Sequence, residues 1–193
     1  MQSETTSILI CGTGGQGILL ASEIISTAAM LSGMDVRKSE IHGMAQRGGS
    51  VVSQVRFGKT VHSPMIEEGA ADLLVSMEKL EALRWSHFLS PAGRALVCDL
   101  EIAPPSVSTG QAQYPDVLGE LSARGVSFRL IDGFGEARTL GNLRVVNTIM
   151  VGAASVGLDL PDASWRDAMR GLIPEKALEV NFKAFDRGRE LAG

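Results

Sequence analysis

Residues 12–17, Gly12-Thr13-Gly14-Gly15-Gln16-Gly17, fit the pattern G-x-G-x-x-G. The apolar run Ser7-Ile8-Leu9-Ile10-Cys11 precedes them, and Ile18, Ala21, Ile25 and Ala28 follow at helical spacing. A glycine turn between a strand and a helix suits an anionic ligand. Glycine accepts positive φ and lets the backbone approach a bound group closely. The helix N-terminus offers free N–H groups and a partial positive charge, which fit phosphate. The same glycines also serve a tight strand-to-helix turn with no ligand at all. Gln16 has three readings: an amide at the site, a helix cap, or a contact to a partner subunit. A dinucleotide fingerprint wants an acid about 20 residues on, at the end of the next strand. Glu40, shortly after Met34-Asp35-Val36, is the candidate.

The second constellation is Ile41-His42-Gly43-Met44-Ala45-Gln46-Arg47-Gly48-Gly49-Ser50. Between Arg37 and Ser63 stand Arg37, Lys38, Arg47, Arg56 and Lys59 against one acid, Glu40, although the whole chain has a net charge of −4. Local positive charge concentrates anions. Arg47 can grip a phosphate or carboxylate with two parallel bonds, and Gly48 and Gly49 let the chain turn behind it. A solvated basic loop and a subunit interface, with Met44, Ala45 and Gln46 as a small apolar-polar patch, are the other readings.

Other chemistry is missing from the pattern. His42, His62 and His87 have no metal-ligand spacing, and Cys11 and Cys98 are two isolated cysteines in apolar runs, read as buried thiols. No cysteine cluster can hold an iron–sulfur centre. There is no G-x-S-x-G elbow, and no Gly-Lys-Ser/Thr follows the glycines. Asn147, in an apolar helix, needs a buried partner: backbone, a neighbouring loop, or a ligand. No residue is assigned a catalytic or metal-binding role. The chain reads as part of a larger enzyme.

These residues must be held by a scaffold. Residues 7–11, 34–36, 51–57, 72–76, 95–99 and 127–131 read as strands. Gly58-Lys59 is expected to turn residues 51–57 into a hairpin with Thr60-Val61-His62. Helices are expected from residue 18, stopped by Gly33, and over 78–87, 117–124, 142–156, 162–172 and 175–189. Asp162 reads as an N-cap. Residues 39–50 read as a long loop, Pro91-Ala92-Gly93 as a turn and residues 101–115 as an irregular crossing. The alternation predicts a three-layer α/β sandwich with a mostly parallel, mixed sheet and a Rossmann-like N-terminal βαβ unit.

The 193 residues suit one domain, 1–193, at about 150 residues per domain. The negative charge gives nucleic-acid binding no support. The N-terminus has no basic start of a signal peptide, and the longest apolar stretch, Val145 to Leu158, is too short and too interrupted for a membrane span. A soluble cytoplasmic protein is expected.

The two loops together resemble the gamma subunit or domain of 2-oxoacid:ferredoxin oxidoreductases. The string Gly43-Met44-Ala45-Gln46-Arg47-Gly48-Gly49-Ser50-Val51 is similar to the beta subunit of the indolepyruvate type, as are Ala71-Asp72 before an apolar strand and Glu179-Val180-Asn181-Phe182-Lys183-Ala184-Phe185. The resemblance covers nearly the whole chain. It implies oxidative decarboxylation of arylpyruvates to acyl-CoA, with electrons passed to ferredoxin. Thiamine diphosphate and [4Fe–4S] clusters are expected on a large alpha subunit. This chain would be inactive alone and would support coenzyme A binding and assembly. Gly12, Thr13, Gly14, Gly15, Gln16, Gly17, Arg47, Gly48, Gly49 and Ser50 are then the candidate cofactor-binding residues. The rivals are a free-standing Rossmann-type nucleotide-binding oxidoreductase, an enzyme resembling those that adenylate ubiquitin-like carriers, and a non-catalytic binding protein.

Overall fold

A computed structural model describes residues 5–42 and 49–193. The elements in order are β1 (Thr5–Thr13), α1 (Ile18–Leu31), β2 (Asp35–His42), β3 (Ser50–Gly58), β4 (Ala71–Ser76), α2 (Lys79–Trp85), β5 (Leu89–Cys98), α3 (Pro105–Ser108), α4 (Val117–Ala123), β6 (Ser127–Ile131), α5 (Gly133–Thr139), α6 (Val146–Ser155), α7 (Asp162–Leu172) and α8 (Glu175–Ala192).

The strands form one sheet in the order β2-β3-β1-β4-β5-β6. The pairs from β1 to β6 are parallel, whereas β3 runs antiparallel to both β1 and β2. Among the described residues β3 is therefore the one reversed strand, and the sheet is mixed as the alternation predicts. Along β1 the side chains alternate between layers, as a period of two demands. Ile8 and Ile10 join the core under α1 and α5 to α8, and Leu9 and Cys11 join the core under α2 and α4. This is the expected three-layer sandwich.

Several local expectations are corrected. The βαβ unit exists, but β3 is inserted between β1 and β2. Strand β2 runs to His42, so Ser39 to His42 is strand rather than loop. Pairing of Glu40 with Ser53 and of Ile41 with Val52 holds this polar stretch in the sheet. The hairpin at Gly58-Lys59 does not form. Asp35 Oδ2 accepts instead from the Val61 amide at 2.9 Å, and residues 59–70 form no strand. Pro91 to Gly93 belong to β5 at a register irregularity between Ala71 and Leu73. Asp162 is the first residue of α7 and Pro161 its cap. Helix α5 is not expected from the sequence because Gly133 and Gly135 disguise its first turn; Asp132 caps it by accepting from the Gly135 amide at 2.8 Å.

All ten residues of α6 are buried. Helices α6 and α8 meet backbone to backbone: a Cβ on Gly152 would lie 2.0 Å from the Phe185 carbonyl oxygen, and one on Gly188 1.9 Å from that of Ile149. Trp165 packs on Phe185 at 5.7 Å between ring centroids and closes the layer. Among the described residues no helix is long and apolar enough to cross a membrane.

Candidate functional site

The chain leaves β1 through α1 on one face and leaves β4 through α2 on the other. The C-terminal ends of β1 and β4 therefore form a topological switch point, where open α/β sheets bind ligands. The glycine turn sits there. Gly15 has φ +102° and Gly17 φ +78°. Gly12 is needed for closeness: a Cβ there would lie 2.6 Å from Gln16 Oε1 and 2.9 Å from Met77 Cβ. Among the described residues a Cβ on Gly15 would meet nothing within 4 Å, and Gly15 itself is exposed. The turn thus presents open backbone at its tip and packed backbone at its base.

Its amides are partly committed. Gly14 N–H donates to the Gly49 carbonyl at 2.9 Å, and Ala21 N–H starts α1 by donating to Gly17 at 3.0 Å. The amides of Gly15, Gly17, Ile18 and Leu19 have no acceptor among the described residues. These are the donors a helix N-terminus leaves over.

Gln16 resolves to a structural role. Its Oε1 accepts from Thr13 N–H at 2.7 Å, and its Nε2 donates to the Met77 carbonyl at 3.0 Å. The side chain bridges the crevice between β1 and β4. Asn147 takes the backbone option: its Nδ2 donates to the Gly17 carbonyl at 3.3 Å. Beside it the Thr148 hydroxyl donates to Asn181 Oδ1 at 2.6 Å.

Gly49 and Ser50 are brought to the glycine turn, since Thr13 pairs with Ser50 in the β1–β3 register. Gly12, Thr13, Gly14, Gly15, Gln16, Gly17, Gly49 and Ser50 thus share one edge. Arg47 and Gly48 lie outside the described residues. Glu40 is not brought there. It stands on edge strand β2, its carboxylate 2.9 Å from Lys38 Nζ. With β3 intervening, β2 is two strand spacings, about 10 Å, from β1, so the dinucleotide geometry is not reproduced.

Two buried acids beside this edge are not singled out by the sequence. Glu78 is 1% exposed and Glu81 3%. Glu78 caps α2 by accepting from the Glu81 amide at 2.9 Å, and it also accepts from the Ile102 amide at 3.1 Å and the Tyr114 hydroxyl at 2.6 Å. Glu81 accepts from the Ser50 hydroxyl and from Trp85 Nε1 at 3.2 Å, and pairs with Arg84 Nε at 3.1 Å. Buried carboxylates require such donors. Burial, and then the Glu78 carboxylate, hold the Tyr114 phenol above its ordinary range, so it remains a donor. The available signal was Glu78-x-x-Glu81 at a helix start directly after a strand. Cys11 and Cys98 are both free and buried.

Fold and edge together define an open α/β domain whose candidate site, a glycine turn with uncommitted amides, lies at the switch point of its sheet. The pyruvate ferredoxin/flavodoxin oxidoreductase family matches residues 7–191, and the chain belongs to that family. It is 38% identical over 192 residues to the indolepyruvate oxidoreductase subunit IorB of Thermococcus kodakarensis, covering 96% of this chain and 95% of that one. It is also 38% identical over 189 residues to the subunit IorB of Archaeoglobus fulgidus, covering 94% and 92%. The fold is shared with the gamma subunit of a keto/oxoacid ferredoxin oxidoreductase from Geobacter sulfurreducens, at TM-score 0.72 and 24% identity over 97% of this chain and 98% of that one. It is shared too with a 2-oxoglutarate:ferredoxin oxidoreductase from Magnetococcus marinus, solved with 2-oxoglutarate, coenzyme A and succinyl-CoA bound. That match has a TM-score of 0.76 and 19% identity, and covers 99% of this chain but 31% of the larger one.

Proposed function

We propose that this chain is the small, gamma-type subunit of a 2-oxoacid:ferredoxin oxidoreductase of the indolepyruvate type. It forms one domain over residues 1–193 and works in the cytoplasm. Its partner is a larger subunit carrying thiamine diphosphate and [4Fe–4S] clusters, and the complex converts arylpyruvates to acyl-CoA with ferredoxin as electron acceptor. The 38% identity to subunits named IorB, over nearly the full length of both chains, supports this reading.

The observation that carries this chain's own role is the glycine turn. Its uncommitted amides at Gly15, Gly17, Ile18 and Leu19 suit an anionic group of a substrate, and among the described residues nothing stands against Gly15. A phosphate of coenzyme A fits such donors at a helix N-terminus. Thr13 and Gly14 shape the turn, Gln16 fixes its base, and Gly12 permits their approach. Gly49 and Ser50 stand beside the turn, and Arg47 and Gly48 are assigned to the same binding role from the sequence alone, with Arg47 pairing an anion on the ligand or on the partner chain. These groups bind and orient; the decarboxylation chemistry belongs to the partner's cofactors.

The test is reconstitution. This chain and the larger subunit, purified separately and mixed, should turn over indolepyruvate with coenzyme A and ferredoxin, while neither turns over alone. Arg47→Ala should raise the apparent KM for coenzyme A. Full turnover by the isolated chain, or a complex indifferent to coenzyme A, would overturn the proposal.

A further inference from the structure

Ser50 is joined to the glycine turn on its backbone side and to α2 on its side-chain side. It pairs with Thr13 in the sheet register, and the neighbouring Gly49 carbonyl takes the Gly14 amide at 2.9 Å. Its hydroxyl donates to the Glu81 carboxylate. That carboxylate is gripped from behind by Trp85 Nε1 at 3.2 Å and Arg84 Nε at 3.1 Å. At 3% exposure, Glu81 has little water to substitute for a lost donor. Hydrogen bonds to charged groups are the stronger kind, and leaving a buried one unmade is costly.

We infer that Glu81 is a positioning residue for the glycine turn, acting through Ser50. The inference rests on the function proposed above. Helix α2 lies on the opposite face of the sheet from α1, so Glu81 ties one helical layer to the loop that opens the other. Movement at Ser50 and Gly49 carries the Gly14 amide with it and, through Gly14, the turn whose free amides face the ligand. Glu81 touches no ligand. Its loss blunts the preorganisation of the anion site and leaves the reacting atoms alone. Binding that is equal in ground state and transition state appears in KM and not in kcat.

The experiment uses the assembled two-subunit enzyme and reads kcat and the apparent KM for coenzyme A in Ser50→Ala, Glu81→Ala, Glu81→Gln and Tyr114→Phe. Tyr114→Phe removes a hydroxyl from the neighbouring acid Glu78 at the start of the same helix without touching Ser50, and so controls for general loosening of α2. Ser50→Ala and Glu81→Ala should raise KM about three- to tenfold with kcat within about twofold. Glu81→Gln should recover part of the loss, because its amide oxygen still accepts the Ser50 hydroxyl. Tyr114→Phe should stay within about twofold in both constants. Should Glu81→Ala fail to assemble, Ser50→Ala and Glu81→Gln carry the test. Wild-type KM in Ser50→Ala, or an equal rise in Tyr114→Phe, overturns the inference. A wild-type complex with no dependence on coenzyme A overturns the function and this role together. A saturable wild type, with an Arg47→Ala effect but none from Ser50→Ala, removes only the role of Glu81.

Discussion

The side-chain amide of Asn147 donates to the Gly17 carbonyl at 3.3 Å, linking the start of α6 to a turn 130 residues earlier. The contact works in both directions. A Cβ on Gly17 would lie 2.6 Å from Asn147 Nδ2, and Gly17 has φ +78° besides. Gly17→Ala should therefore cost about 2–4 kcal/mol, from left-handed strain plus the clash. Asn147→Ala should cost about 1–2 kcal/mol. The double variant should cost less than the sum, since truncating Asn147 makes room for the new methyl. Urea unfolding of all four proteins checks this; strict additivity would show that the two residues do not meet as described.

Gln16 is predicted to act through the fold before it acts on any ligand. Gln16→Met keeps the length of the side chain and loses both bonds, to Thr13 and to Met77. Stability should fall by about 1–3 kcal/mol, measured by urea unfolding of the isolated chain. An unchanged midpoint would return Gln16 to the role of a ligand-facing amide.

The two thiols should be inert in the native protein. Burial pushes the Cys98 thiol up to about 12, and the Cys11 thiol higher still. The nucleophile is the thiolate, so an aromatic disulfide reagent at about pH 8 should find neither within minutes and both in guanidinium chloride. Prompt release of one equivalent from folded protein would contradict the packing of β1 or β5.

The Glu136–Arg187 pair makes a pH prediction. Arg187 holds the Glu136 carboxyl below its ordinary range, with nitrogen–oxygen distances of 2.7 and 2.8 Å. A carboxylate whose folded value is depressed adds stability above its unfolded value, about 4.3, and loses it as pH falls through the lower folded value. Glu136→Gln should therefore lower Tm by about 1–3 °C at about pH 7, and the gap from wild type should close below about pH 4. A gap that persists undiminished at about pH 3 would mean packing, not charge, joins α5 to α8.

Much of this architecture is visible in the residue pattern because local and global preferences agree. Ile8 to Cys11 can be little but a doubly buried strand, and residues 127–131 and 162–172 form the expected elements with the expected bounds. What the pattern hides depends on partners distant in sequence. Ser39 to His42 looks like loop and becomes strand only because β3 returns beside it. Glu78 and Glu81 are not singled out by the pattern, because Ser50, Tyr114 and Ile102, which bond them together with the nearby Trp85, are distant in sequence. At the site, the glycines are legible because turn geometry is local. The use of Gln16 as a strut and the approach of Gly49 to Gly14 are not, because each requires knowing which strand ends share an edge.

The reversed direction of β3 also has a mechanical consequence. Strand β3 starts where β1 ends, so Thr13 at the end of one is clasped by Ser50 at the start of the other. Slippage of β3 by one residue would send every one of its side chains to the wrong layer, so the corner that carries the glycine turn is locked by all nine pairs of the β1–β3 register.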